Sequence, residues 1–444
     1  MKKQYYKNNL SLAIPIILSL VGQSFVQIVD NIMVGNLGAA PLAAVSFAGS
    51  LSYNALVVGM GIALALTPIV GERFAQNKFK IISKYFQNSL SLNLIISFII
   101  VGILLLLMPF LSYFGQPKEV IELCKPYYFI ITISFIPEML FLSFKQFLEG
   151  VGNTKVSMII TISANILHVI LNFIFIYGMF SFPAMGITGA ALSTLICRIL
   201  MPISFFIYVY SSIKFKRYLK FFSLNNLSFS EHIKILRIGL PIASQMFLEF
   251  ASLFGITLMM GWVSLEALAA YQIVISAVSL TFLISSGISS ATTILTSYHY
   301  GLKQPKEIRK YFKVGLNMSL IMMSISALCF IFFGKYISML FTFDDNVIEL
   351  ASTFFIVAGF FQLLDGSQVS ILGALRGIKD VFNPMKSALI SYIFIALPFA
   401  YLFGFVLKIG SWSIFSGFLV GLLSAALLYY RRFNRMLKLM ENEK

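Results

Sequence analysis

The sequence predicts an all-α integral membrane protein, with twelve transmembrane helices in two six-helix bundles related by a pseudo-two-fold axis. Composition, loop charge and an internal repeat carry that prediction. Of 444 residues, 59% are hydrophobic and only 11% charged, with a mean hydropathy of +0.89. Soluble domains carry roughly 25% charged residues to wet their surface; a bilayer removes that requirement, each crossing taking about 20 apolar residues.

Twelve apolar runs are long enough to cross: residues 10–34, 45–70, 89–111, 121–147, 156–178 and 186–212, then 235–262, 268–297, 314–333, 349–375, 383–406 and 412–430. The first is too long for a signal peptide, contains Asp30 and lacks a following cleavage site. The loops between runs leave no room for a sizeable soluble domain.

Loop charge tests the count. The net charge is +16, a value that in a soluble chain suggests nucleic acid. Here the basic residues alternate from side to side. All but five of the 33 lie in the tails and in every second loop, Arg376 and Lys444 among them. The exceptions are Lys118, Lys125, Lys335 and Lys408 in the opposite loops, and Arg198 within a span. A miscounted helix would scramble this order, so the positive-inside rule places both termini in the cytoplasm. Short loops and the absence of a targeting extension point to a bacterial inner membrane. No nucleic-acid partner is expected. Cys124, Cys197 and Cys329 match no metal or disulfide spacing and read as packing residues.

The longest cytoplasmic link, 213–233, separates a bundle at 1–212 from one at 234–444. The halves repeat: Pro15 aligns with Pro241, Met33 with Met259, Gly35 with Gly261, and Leu42-Ala43-Ala44 with Leu268-Ala269-Ala270. Parallel repeats of this kind place the substrate site between the halves, which rock against one another.

Ionisable side chains are expensive inside a bilayer and need a reason to be there. Asp30, Glu138, His168, Arg198, Glu249 and Asp365 all fall within spans. Ser19, Gln23, Gln27 and Asp30 form one helical stripe; Thr161, Asn165, His168 and Asn172 form another. Gln245, Glu249 and Ser252 share a face of the seventh span, and Gln362, Asp365 and Gln368 one of the tenth. Such stripes face partner helices or a wet cavity, so Gln23, Gln27, Asn165, His168, Asn172, Arg198, Gln245 and Gln362 are candidate cavity residues. For Glu138 and Arg198 a structural ion pair comes ahead of transport, though Arg198 could instead neutralise Asp30. His168 reads equally as packing or cavity; His232 and His299, at the loops, receive no role.

Several motifs together resemble the multidrug and toxic compound extrusion (MATE) family, NorM-like branch. They are Pro15…Gln23…Asp30-Asn31-Ile32-Met33-Val34-Gly35, Pro41-Leu42-Ala43-Ala44, Leu66-Thr67-Pro68 and Phe147-Leu148-Glu149-Gly150-Val151-Gly152-Asn153. In the second half they are Leu240-Pro241…Glu249 and Gln362-Leu363-Leu364-Asp365-Gly366 through Gly373-Ala374-Leu375-Arg376-Gly377. The resemblance implies a V-shaped pair of bundles exporting organic cations in exchange for sodium ions or protons. It also implies a cation site at Glu249 and Asp365, with Asp30 as a coupling acid in the first bundle. His168 departs from an Asn common in that branch, and Phe361 from an expected Tyr.

A carboxylate in a low-dielectric cavity disfavours standing empty. It holds a proton, a sodium ion or a cationic ligand, and exchange among these couples them. No cofactor beyond the coupling ion is expected, and a monomer is. A lipid-linked oligosaccharide flippase of the same superfamily is the rival reading; such flippases often have fourteen spans or a strongly cationic cavity. A membrane-embedded enzyme is more distant, because no catalytic constellation stands near an interface.

Overall fold

The computed structural model describes residues 2–442; Lys444, counted above among the basic tail residues, lies outside them. Among the described residues, twelve helices are long and apolar enough to cross a membrane. They are α1 (Lys3–Gly35), α2 (Ala39–Ala75), α3 (Phe79–Phe114), α4 (Lys118–Gly150), α5 (Thr154–Tyr177) and α6 (Gly186–Ser211), then α7 (Phe229–Val263), α8 (Leu265–Gly301), α9 (Pro305–Met339), α10 (Asp345–Gly377), α11 (Phe382–Val406) and α12 (Ser411–Asn442). Each contains the core of one predicted span. Most run several residues further, because hydropathy marks only the apolar middle while backbone hydrogen bonding continues into polar flanks.

Prolines set the irregularities. The α-helical run of α2 is interrupted at Leu64–Ala65, just before Pro68, and that of α4 at Ser134, just before Pro137. A proline ring displaces the carbonyl four residues earlier and supplies no N–H. In α11, π-helical turns span Leu389–Ala396 and Leu402–Val406, either side of Pro398.

The 213–233 link has secondary structure of its own. It forms a short helix, Ile213–Leu219, that docks on α3. Ser83 donates to the Tyr218 carbonyl, and Asn88 Nδ2 donates to the Asn226 carbonyl at 2.8 Å.

Packing divides the chain within α1 and α7, not at the 213–233 link. One compact unit comprises residues 18–243; the other joins residues 1–17 to 244–444. Both divisions follow a helix proline, Pro15 or Pro241. The first unit centres on aromatics, with Phe86 stacked on Phe147 at 4.2 Å and surrounded by Phe144, Phe205 and Tyr218. The start of α7 belongs here, tied by Glu231 to Lys84 at 3.0 Å and by His232 to Ser91 at 2.7 Å. In the other unit Tyr392 stacks on Phe418, beside Phe354, Phe361 and Phe415. There the start of α1 is fixed by Tyr5 donating to Glu307 at 2.8 Å and Asn8 donating to Tyr311 at 2.9 Å. His299, given no role above, stacks on Tyr311 in the same corner.

The repeat extends to single hydrogen bonds. Thr67 places its hydroxyl 3.2 Å from the Gln146 carbonyl. Thr293 places its own 2.8 Å from the Gly373 carbonyl. The two threonines are related by the same repeat as Pro15 and Pro241.

Candidate functional site

In the first unit, the polar stripes of α1 and α5 meet. Asn172 Nδ2 donates to Asp30 Oδ1 at 2.5 Å, and His168 Nδ1 lies 3.4 Å from the same oxygen. His168 Nε2 is 3.0 Å from the Thr194 hydroxyl on α6. Asp30 is part-exposed, whereas His168 and Asn172 are buried. Higher on the stripes, Gly22 has no side chain to hold off Asn165. Of the remaining α1 candidates, Gln23 is half-buried and Gln27 exposed.

Arg198 does not approach Asp30 as a bonded partner. It pairs with Glu138 at 3.3 Å, donates to Ser134 at 2.7 Å and lies over the Phe135 ring. All three partners sit at the α4 break, so this pair pins an interrupted helix to α6. The structural reading of Glu138 and Arg198 therefore fits their contacts.

In the second unit, α7 and α10 bring the other stripes together. Gln245 Nε2 donates to Glu249 Oε2 at 2.8 Å. Asp365 is within electrostatic reach of Glu249. Its Oδ2 is buried and, among the described residues, has no hydrogen-bond partner. Gln362 and Gln368 are fully buried and turned into the packing: Gln362 Nε2 donates to Thr281 at 2.7 Å, and Gln368 Nε2 to the Tyr392 hydroxyl at 3.0 Å. That tyrosine belongs to the π-helical turn of α11, and its carbonyl accepts from Ser252 at 3.3 Å. A π-turn inside an α-helix often marks a functional site.

Arg376 was missed by sequence reasoning, which counted it as a loop charge. It belongs to the last turn of α10, and its Nη2 donates to Gln245 Oε1 at 2.7 Å. A chain of bonds thus runs from Arg376 through Gln245 to Glu249. The available signal was the repeat itself: Gly150 and Gly377 correspond, so the residues preceding them, Glu149 and Arg376, correspond too. Both are charged where a helix end still lies inside its unit. Glu149 is likewise buried, and its Oε1 has no hydrogen-bond partner among the described residues. One further correction concerns Cys329: Cys124 and Cys197 are buried, but Cys329 is exposed and not a packing residue.

Twelve membrane-length helices among the described residues, in two repeat-related units that each set acids among amides, define a polytopic membrane transporter. The chain belongs to the MatE family, whose profile matches residues 15–174 and again 241–402. It is therefore a transporter and not an enzyme. It is 30% identical over 429 residues to a probable multidrug resistance protein NorM of Bacillus licheniformis, covering 96% of this chain and 95% of that one. To the multidrug resistance protein NorM of Vibrio vulnificus strain YJ016 it is 28% identical over 421 residues, covering 94% and 92%. Its fold matches that of a MOP superfamily transporter from Pyrococcus furiosus with a TM-score of 0.89 at 19% identity, covering 98% of this chain and 97% of the other. A eukaryotic MATE transporter matches at 0.87 and 18%, covering 100% and 99%.

Proposed function

We propose that this protein exports organic, cationic drugs or toxic compounds in exchange for a cation, sodium or protons, entering the cell. The observation that carries this reading is the acid pair of the second unit. Asp365 presents a buried carboxylate oxygen with no hydrogen-bond partner among the described residues, within electrostatic reach of Glu249. Two carboxylates within electrostatic reach of one another, with one fixed charge near Glu249 at Arg376, favour a further positive guest. A sodium ion, a proton or an organic cation would each serve, and competition among them is the coupling. Coupling further requires that the guest bind differently in the two states of the transporter. Asp30 supplies a second acid in the first unit, and Gln245 orients Glu249. Residues 1–212 and 234–444 act as the two bundles, as a monomer in a bacterial inner membrane with both termini cytoplasmic. The basic loops support the orientation, and the bacterial NorM relatives support the membrane.

The test is efflux of ethidium from vesicles carrying the protein, with sodium and pH gradients imposed separately and Asp365→Asn as the comparison. Sodium-driven export lost in Asp365→Asn supports the second-unit ion site. Export driven by protons alone, and unaffected by that substitution, moves coupling to Asp30. No export of any cationic dye under either gradient overturns the reading in favour of a lipid-linked oligosaccharide substrate.

A further inference from the structure

The internal repeat sets Glu138 of α4 against Asp365 of α10. Gly150 and Gly377 are 227 residues apart, and so are Glu138 and Asp365. The same spacing relates the carbonyls of Gln146 and Gly373, which face the equivalent threonines Thr67 and Thr293. One acid thus occupies the same place in both units, and its surroundings differ.

In the second unit the acid has company of its own sign. Glu249 is within electrostatic reach, and Asp365 Oδ2 is buried with no hydrogen-bond partner among the described residues. Arg376 reaches Glu249 through Gln245. In the first unit Gln23 stands 226 residues before Glu249, at the equivalent position, and contributes no charge. Glu138 there faces Arg198 Nε at 3.3 Å. Arg198 Nη1 also donates to Ser134 Oγ at 2.7 Å, and the guanidinium lies 5.4 Å from the Phe135 ring centre. Ser134 gives its own hydroxyl proton to the Ile131 carbonyl, so its oxygen turns lone pairs toward the arginine. Carboxylate, hydroxyl oxygen and ring face all favour a positive charge at this point. In the repeat, α12 corresponds to α6, which bears Arg198. From Ser411 through Tyr430 it has no lysine or arginine, and so offers Asp365 no such charge.

We propose that the Arg198 guanidinium is a tethered cation, filling in the first unit the place that an exchangeable cation takes in the second. It covers a latent sodium site made by the oxygens of Glu138 and Ser134, since hard cations take oxygen ligands. The inference rests on the cation-coupled reading above and adds a consequence: at this repeat position only the second unit exchanges an ion. A guanidinium is always charged and cannot leave its helix. It neutralises Glu138 permanently, which takes that acid out of the exchange.

The experiment measures thermal melting of the full chain in detergent as sodium replaces N-methylglucamine at constant ionic strength and pH. Asp365→Asn is the background, which leaves the second-unit acid neutral. In it, Arg198→Gln should gain a rise of about 2 °C or more per tenfold sodium, up to about 100 mM. Adding Glu138→Gln should abolish that rise, and Arg198→Lys, which keeps a tethered charge, should not show it. Arg198→Gln melting at one temperature throughout the sodium series overturns the proposal. If Arg198→Gln does not fold, the paired substitution Glu138→Gln with Arg198→Gln decides, in the otherwise native chain. It leaves no bare charge and should keep the native dependence of melting on sodium and on pH. Loss of either makes Glu138 part of the native ion site and overturns the proposal. Sodium that stabilises Arg198→Gln but not the native chain supports the tethered cation and counts against the second-unit ion site alone.

Discussion

Gly61 of α2 and Gly287 of α8 occupy equivalent places in the repeat and receive equivalent residues. A Cβ on Gly61 would meet the backbone of Ala243, with the amide nitrogen at 2.6 Å. A Cβ on Gly287 would meet Ile17, whose amide nitrogen would lie at 3.1 Å. Ala243 and Ile17 are the residues at which α7 and α1 pass from one compact unit to the other. Each crossing helix is therefore seated against a glycine that allows backbone to approach backbone.

That geometry predicts an asymmetric cost for adding one methyl group. Gly61→Ala forces backbone apart and should destabilise by about 1–3 kcal/mol, as overpacking does; Gly287→Ala should do the same. Gly49→Ala, on α2 with nothing within 4 Å of its Cβ, should be neutral or slightly stabilising. Thermal melting of the three variants in detergent distinguishes them. Equal melting points would mean that the crossing points yield freely.

The Glu138–Arg198 pair makes a second prediction. Side-chain exposures of 11% and 19% leave little water to stabilise either charge alone. Glu138→Gln or Arg198→Gln alone should cost about 3–5 kcal/mol, because the surviving partner stays buried and unpaired. The double substitution should recover much of that, and the double-mutant cycle measures the coupling. If both single variants melt normally yet abolish efflux, the pair belongs to transport instead.

Much of this architecture was legible in the chain. Span count and repeat follow from hydropathy and from aligned residues such as Pro15 and Pro241, since a bilayer imposes a simple length rule. The stripes on α1 and α5 named the helix faces that meet at Asp30. What the sequence could not show was direction at helix ends. Arg376 looks like an inside-positive loop charge because hydropathy cannot tell a side chain pointing to water from one folded back to Gln245. Nor could a stripe say how deeply its members pack: Gln362 shares a face with Asp365 yet bonds to Thr281 in the interior. The division within α1 and α7 was hidden because both helices are continuous in pattern, and only tertiary contact shows which unit each end joins.

The inside-positive assignment can be checked residue by residue. Lys220 in the 213–233 link and Lys335 near the end of α9 are both exposed. In a Cys329→Ala background, Lys220→Cys should react with a membrane-impermeant thiol reagent only in inside-out vesicles. Lys335→Cys should react only in right-side-out vesicles or intact cells. Cys124 and Cys197 are buried and contribute little background. Labelling of both positions from one side would remove a helix from the count and reverse the orientation of part of the chain.

Arg376 yields the sharpest electrostatic prediction. Its guanidinium reaches Glu249 through one amide: Arg376 donates to Gln245 Oε1, and Gln245 donates to Glu249 Oε2. A fixed positive charge at that range opposes any cation arriving at Glu249 and Asp365. For unit charges about 10 Å apart at an effective dielectric of about 20, the opposition is on the order of tenfold in affinity. Arg376→Gln should therefore tighten coupling-ion binding by roughly that factor, shifting the ion dependence of efflux to lower concentration. Release should slow in step, so maximal efflux falls while half-saturation improves. Arg376→Lys keeps the charge but loses the planar fork, and should stay close to the native ion dependence. Gln245→Leu cuts the bridge and leaves both charges, which frees Arg376 to contact Glu249 directly and should weaken ion binding. Opposite shifts in Arg376→Gln and Gln245→Leu would establish the arginine as an internal competitor for the ion. Identical losses in both would reduce it to a packing role at the end of α10.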